Sequence, residues 1–422
     1  MKTIFWLSCF LLLNLQLSAQ SDKERGDIAY YARDYHPARL YYERALNEHP
    51  KDLDLLSKLA DCSRVIGDFI SASEYYSTII QNPKSSLIDH YWYADALKSL
   101  GLYKAAKKVF KTIKKQSPKS FRQALPSCRF AIRKLKCKGV YTVAAEDSIN
   151  DLKYDDYAPT FYLDNTIFSS SRKTKDPMFG YSSPHVTNFL YTTTSDNKGG
   201  LNKPILLEDD LLITNIAPIA IRIDKKILCL SYNKFKQGER HISGAALSKL
   251  LFETIQIESD TNIDLSAQGD LLAFAQDISY GFPAFSPDGQ VLYFAAEQME
   301  GITHYGGMDI YTTTFEDSVW TLPKNLGPTI NTTGDEICPF VDENNILYFT
   351  SDFHKGFGGY DIHKSIPNKK KGTWGKVKNL GSKVNSPRDD LYFIFDSNKG
   401  IGYFSSDRKG NLDIYRATLN KK

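Results

Sequence analysis

The chain has 422 residues, with 53 Lys and Arg against 49 Asp and Glu for a formal net charge of +4, and 13% aromatic side chains. That length suits two domains, and the aromatic share suits a protein rich in packed β-strands. Its six cysteines are spaced neither as a disulfide-dense scaffold nor as a zinc site, which excludes both kinds of small stapled fold.

In chain order, the first residues read as an export signal. Lys2 is followed by an apolar run from Ile4 to Leu17 and by Leu17-Ser-Ala-Gln20, whose small residues suit signal peptidase. Residues 1–19 are therefore expected to be a cleaved signal and the protein to be periplasmic, peripheral to the outer membrane at most. No other segment approaches the ~20 apolar residues that a spanning helix needs. Of the five remaining cysteines, Cys128 and Cys137 are near enough in sequence to pair in an oxidising compartment; the alternative is isolated buried thiols.

Residues 20–138 carry a repeat of 34. Ala38, Ala72 and Ala106 share that interval, as do Tyr42, Tyr76 and Phe110, and Pro50, Pro83 and Pro118 close successive units. This is the tetratricopeptide spacing, in which paired helices stack through small alanines. Asp34-Tyr35, Asp68-Phe69 and Leu102-Tyr103 fall at the turns, and the amphipathic segment from Phe121 to Leu135 is expected to cap the stack. Groove-facing positions include Asp27, Tyr30, Tyr31, Asp61, Arg64, Tyr91, Asp95 and Lys98. Asp27, Asp61 and Asp95 again repeat at 34. A column of carboxylates would repel an acidic peptide terminus and favour a neutral or basic segment.

Residues 104–138 contain thirteen Lys or Arg and no Asp or Glu. Lys107, Lys108, Lys111, Lys114 and Lys115 decorate one helix, and Arg129 and Arg133 continue the field. Export rules out nucleic acid as its partner. Anionic lipid head groups, cell-wall carboxylates or an acidic protein surface remain, beside the plain reading of a solvated face.

Residues 139–420 carry a longer repeat. Val291-Leu-Tyr-Phe, Ile346-Leu-Tyr-Phe and Ile401-Gly-Tyr-Phe start 55 residues apart, and Asp309, Asp361 and Asp413 of the following strand are 52 apart. Units of several short strands at this period are propeller blades, because one blade cannot cover its own faces. Looser copies at Ala158-Pro-Thr-Phe161 and Ala217-Pro-Ile-Ala220 bring the count to five, with six as the alternative. The last unit stops after three strands, and residues 140–144 form a spare strand at the front. That strand is expected to complete the last blade and seal the ring, leaving no open edge.

The expected fold is thus α+β and multidomain: an all-α tetratricopeptide solenoid, then an all-β propeller. The acids at the start of the innermost strands, Asp155-Asp156, Asp335-Glu336 and Asp389-Asp390, are expected to gather at one mouth of the central channel. Asp156, Glu336 and Asp390 could cap strands as solvated acids, bind a cation or small ligand, or form the paired acid and base of a glycosidase. Asp309, Asp361 and Asp413 fit hydrogen bonds within a blade, with calcium as the alternative. Gly306-Gly307 and Gly358-Gly359 read as hairpin turns. There is no His-Glu-x-x-His and no Gly-x-Ser-x-Gly. No catalytic residues, metal or cofactor are assigned.

Helical repeats leading into a propeller with Ser-Pro-Asp-Gly, Leu-Tyr-Phe, Gly-Gly-x-Asp-Ile, Trp and Asn-Leu-Gly-x-x-Ile-Asn elements resemble exported Bacteroidota proteins with a TolB-type propeller. Components of the type IX secretion and gliding machinery of the PorE kind share this layout. Such proteins often end in an OmpA-like peptidoglycan-binding domain, whereas this sequence ends at Lys422 after its last blade. The resemblance therefore implies a non-enzymatic periplasmic scaffold in an outer-membrane or cell-envelope assembly, held there by protein partners such as an outer-membrane barrel and not by direct peptidoglycan anchoring. The alternatives are a carbohydrate-binding or glycan-hydrolysing propeller and a TolB-like envelope-integrity factor.

Overall fold

A computed structural model describes residues 21–116, 123–172, 189–196, 199–206, 219–222, 227–233, 248–259, 262–270, 278–316, 319–368, 370 and 372–420. The expected signal, residues 1–19, lies outside the described residues. The chain divides into two compact units, with a boundary between Leu125 and Pro126. No helix among the described residues is long and apolar enough to cross a membrane.

The first unit is built from helices α1 (Asp22–Tyr31), α2 (Tyr35–Glu48), α3 (Leu53–Val65), α4 (Phe69–Ile79), α5 (Leu87–Ser99) and α6 (Tyr103–Gln116). Their starts are written in the sequence. Ser21 and Ser86 close capping boxes with Glu24 and Asp89, and Asp52 and Asp68 accept from the first free amides of α3 and α4. The helix pairs turn at Arg33, Gly67 and Gly101, all at positive φ (60°, 80° and 74°). The repeat alanines Ala38, Ala72 and Ala106 are all fully buried, so adjacent helices approach closely. Tyr42 and Tyr76 fill the space between successive pairs.

A seventh helix, α7 (Ala124–Lys134), crosses the boundary, and the ring of Phe130 meets that of Phe357 at 5.5 Å. The second unit is otherwise a β-propeller-like arrangement. Its described residues form five sheets of four or five strands and one two-stranded ribbon. The innermost strands are Asp156–Tyr162, Ile219–Arg222, Tyr280–Phe285, Glu336–Val341 and Asp390–Asp396. Each packs beside the next, and the last packs against the first. The strand Tyr141–Ala145 pairs antiparallel with Asp413–Leu419 as the outermost strand of the C-terminal sheet.

Apolar wedges between neighbouring sheets hold the arrangement together. Cys229 meets Tyr280, Phe294 and Tyr311 in one wedge, Ile310 and Ile330 meet Leu347 and Phe349 in the next, and Tyr348 and Ile362 meet Phe393 and Phe404 beyond them. Ile149 and Phe168 of the first sheet meet Tyr403 and Ile414 of the last. An apolar face on both sides of each sheet is what a blade needs from its neighbours.

Candidate functional site

The paired acids at the inner strands have separate duties. The first of each pair reaches the preceding sheet: Oδ1 of Asp335 accepts the Met308 amide at 2.7 Å, that of Asp389 accepts Tyr360 at 2.8 Å, and that of Asp155 accepts Leu412 at 2.9 Å. Each donor stands one residue before Asp309, Asp361 or Asp413, so the acid is a joint between sheets. Gly307 and Gly359 lie beneath two of these carboxylates, and a Cβ there would come within 2.0 and 2.2 Å of an Asp oxygen. The glycines lie in the connections between consecutive antiparallel strands, and there they also allow the close approach of two sheets.

The second acid of each pair is sealed inside its own sheet. Asp156 accepts from the Asp151 amide at 3.1 Å and from Arg172 at 2.8 Å. Glu336 accepts from Thr332 through its amide (2.5 Å) and hydroxyl (2.8 Å), and from Ser351 at 2.6 Å. Asp390 accepts from the Ser386 amide at 2.5 Å and from Arg408 at 2.6 Å. All three are 0% exposed. They are not solvated acids at an open mouth, because backbone and side-chain donors of their own sheets surround them. Burial raises Asp156 to about 6 and Glu336 to about 7, and raises Asp390 as well, against the pull of these donors.

The inner strands share a further device, which a proline follows in three of four cases (Pro159, Pro283 and Pro339). The third residue of four of them, Ala158, Phe282, Cys338 and Tyr392, takes a positive φ of 51° to 58°, and each strand shifts register there. The bulges turn large side chains inward. Tyr392 lies 5.9 Å from the ring of Tyr157 and 6.3 Å from that of Phe282, with Cys338 and Leu391 in the same apolar cluster. Bulges of this kind re-aim side chains at the cost of local strain.

Asp309 and Asp361 make the blade-internal bonds expected of them. Asp309 accepts from the Tyr305 amide at 2.8 Å and from Asn325 at 2.7 Å, and Asp361 accepts from Phe357 at 2.7 Å. A related device closes the ladder. Asn331, Asn385 and Asn150 each exchange two hydrogen bonds, at 2.8 to 2.9 Å, with the backbone of Ile310, Ile362 and Ile414. Among the described residues no group of three or more His, Cys, Asp or Glu is arranged to hold a metal ion.

In the helical unit the aspartate column is neutralised from within. Asp27 accepts from Tyr42 at 2.7 Å and from Lys58 at 2.5 Å, and Asp61 accepts from Tyr30 at 2.6 Å and from Arg64. Lys58 and Tyr30 belong to neighbouring repeats, so these bonds brace one helix pair against the next. Burial alone would raise Asp27, and the bonds from Lys58 and Tyr42 outweigh it to hold the carboxyl low. Arg64 also lies 4.0 Å over the ring of Trp92. Asp95 is raised by burial, with Lys98 and Arg64 opposing. Tyr91 packs edge-on against Trp92 at 4.9 Å, and Tyr31 is 71% exposed. Two of the three acids of the expected column, Asp27 and Asp61, are therefore paired with bases of the unit itself, whereas no ion pair among the described residues involves Asp95.

The basic helices are open. On α6 Lys108, Lys111, Lys114 and Lys115 are exposed and Lys107 is half-buried, while Tyr103, Ala106, Phe110 and Ile113 face inward. On α7 Arg129 and Arg133 are exposed. No ion pair among the described residues involves any of these seven cations. The five described cysteines are free thiols, with Cys128 buried and Cys137 exposed.

No family model matches the chain, and no curated protein matches it. Among solved structures it is similar to an α-L-arabinofuranosidase from Lactobacillus brevis (11% identity, 66% of this chain and 99% of that one, TM-score 0.41). It is also similar to a glycosyl hydrolase from Bacteroides ovatus (12%, 62% and 83%, TM-score 0.37) and to a gluconolactonase from Xanthomonas campestris (14%, 55% and 69%, TM-score 0.30). At these values the likeness carries no argument about what this chain does.

Proposed function

We propose that this protein is a non-enzymatic, periplasmic scaffold of a cell-envelope assembly, whose tetratricopeptide unit and five-bladed propeller each offer a surface to protein partners. The observation that carries this reading is where the chemistry is spent. The acids that a glycan hydrolase would need are fully buried and bonded within their own sheets, whereas the exposed cations of α6 and α7 form no ion pair among the described residues. Exposed, unpaired charge on a rigid frame suits recognition of an acidic surface. Five sheets around a ring of inner strands support five blades. The motifs shared with envelope proteins support the compartment and a place near type IX secretion or gliding.

The test is fractionation joined to an activity screen. The protein is expected to sediment with the envelope in low salt, to be released by about 1 M salt, where the Debye length falls to about 3 Å, and to leave a panel of glycans uncut. Retention on purified sacculi in high salt and detergent would contradict attachment through partners. Glycan cleavage that Asp156→Asn, Glu336→Gln and Asp390→Asn each abolish would establish the hydrolase instead.

A further inference from the structure

A groove of about 740 Å³ opens beside the strand Tyr141–Ala145, in the wedge between the C-terminal sheet and the loop at Ser382–Lys383. Four of its lining residues are cationic, Lys138, Lys383, Arg408 and Lys409, and none is acidic. Lys138, Lys383 and Lys409 are exposed and form no ion pair among the described residues. Arg408 is tied to Asp390 at 2.6 Å and lies 4.6 Å over the ring of Tyr415.

Tyr415 supplies a second, independent observation. It lines the groove, is 3% exposed, and its buried hydroxyl has no hydrogen-bond partner among the described residues. The repeat provides the control. Tyr415 stands two residues after Asp413, as Tyr311 and His363 stand after Asp309 and Asp361. The Tyr311 hydroxyl meets Nδ1 of His304 at 3.1 Å, and both ring nitrogens of His363 have backbone partners. Leaving a buried hydroxyl unpaired costs about 1–3 kcal/mol, so its retention beside a cationic groove points to a bond made to something that enters.

We propose that this groove binds a small ligand bearing an oxyanion, a phosphate or a carboxylate, with the Tyr415 hydroxyl donating to the anion and Lys383, Lys409 and Lys138 supplying the field around it. The volume lies within the range of small-molecule sites, and the anion would gain from charge-assisted bonds at a partly dry wall. This site is independent of the scaffold reading.

The test is calorimetric titration of the full chain with inorganic pyrophosphate and, separately, with citrate, followed by thermal melting of the free proteins. Saturable binding of either probe is expected, and which of the two binds more tightly separates phosphate from carboxylate. Tyr415→Phe should weaken binding roughly tenfold, as loss of one charge-assisted hydrogen bond implies, while leaving the free protein equally or more stable. Lys383→Glu should abolish binding, and Lys108→Glu on α6 should not affect it. The proposal is overturned if neither probe binds, if Lys108→Glu weakens binding as much as Lys383→Glu, or if Tyr415→Phe binds normally.

Discussion

At the scale of single residues, the turns of the helical unit show what a repeat can and cannot announce. Gly67 and Gly101 take the left-handed conformation that ends a helix, and thirty-four residues earlier the same duty falls to Arg33, at φ 60°. A residue with a Cβ has 1–2 kcal/mol to lose there, which glycine avoids. Arg33→Gly is therefore expected to stabilise the helical unit by about 1 kcal/mol, seen as a higher chemical-denaturation midpoint with unchanged slope. A lower midpoint would mean that Arg33 makes contacts that outweigh the strain. The absence of glycine at 33 hid this turn from a motif search, although the 34-residue register located it. The four positive-φ positions of the inner strands were less legible: Ala158, Phe282, Cys338 and Tyr392 share no residue type, and the proline that follows the first three is replaced by Phe393 after Tyr392. Burial of Asp156, Glu336 and Asp390 was equally hidden, because a sequence shows an acid and not the donors folded around it.

Among the elements, the short strand at the front of the propeller has the largest consequence. Residues 140–144 were legible as a spare strand because the last repeat stops one strand short, and Ile149-Asn150 repeats Ile330-Asn331 and Val384-Asn385. The pairing runs from Tyr141 with Leu419 to Ala145 with Tyr415, and Asn150 completes the ladder on Ile414. Tyr141 also packs on the rings of Phe393 and Phe395 at 6.1 and 5.8 Å. Without this strand, Asp413–Leu419 becomes an open edge and the wedge beneath it loses its cover. A chain beginning at Lys138 should melt cooperatively, whereas one beginning at Glu146 should aggregate or melt at least several degrees lower. Both lack α7, so the comparison isolates the strand. Equal melting of the two would show that closure rests elsewhere.

Across the whole molecule, the carboxylates fall into two opposite regimes, and pH separates them. In the helical unit Asp27, Asp54 and Asp68 are held low: burial opposes at Asp27 and Asp68, and bonds from Lys58, Lys23, Ser71 and Arg39 prevail. Their contribution is present above the ordinary carboxylate range and is lost as pH falls through it. In the propeller, burial raises Asp156 and Asp413 to about 6 and Glu336 and Asp407 to about 7. Such groups stay protonated in the folded state at pH values where the unfolded chain has already ionised. The folded state then holds more protons, so stability falls as pH rises from about 4.5 through 7. His363, pushed down to about 3 by burial, acts in the opposite sense below its ordinary range, so a single carboxyl is best isolated by substitution. Glu336→Gln keeps the shape of the protonated acid and removes its titration. Relative to the unsubstituted protein, the variant should gain stability between pH 5 and pH 8, by an amount on the order of 3 kcal/mol for a shift of this size at a fully buried site. Denaturant titrations at both pH values measure the difference directly. A constant difference between the two proteins would mean that Glu336 is ionised in the folded ring at pH 5, and that Thr332 and Ser351 outweigh the cost of burying its charge.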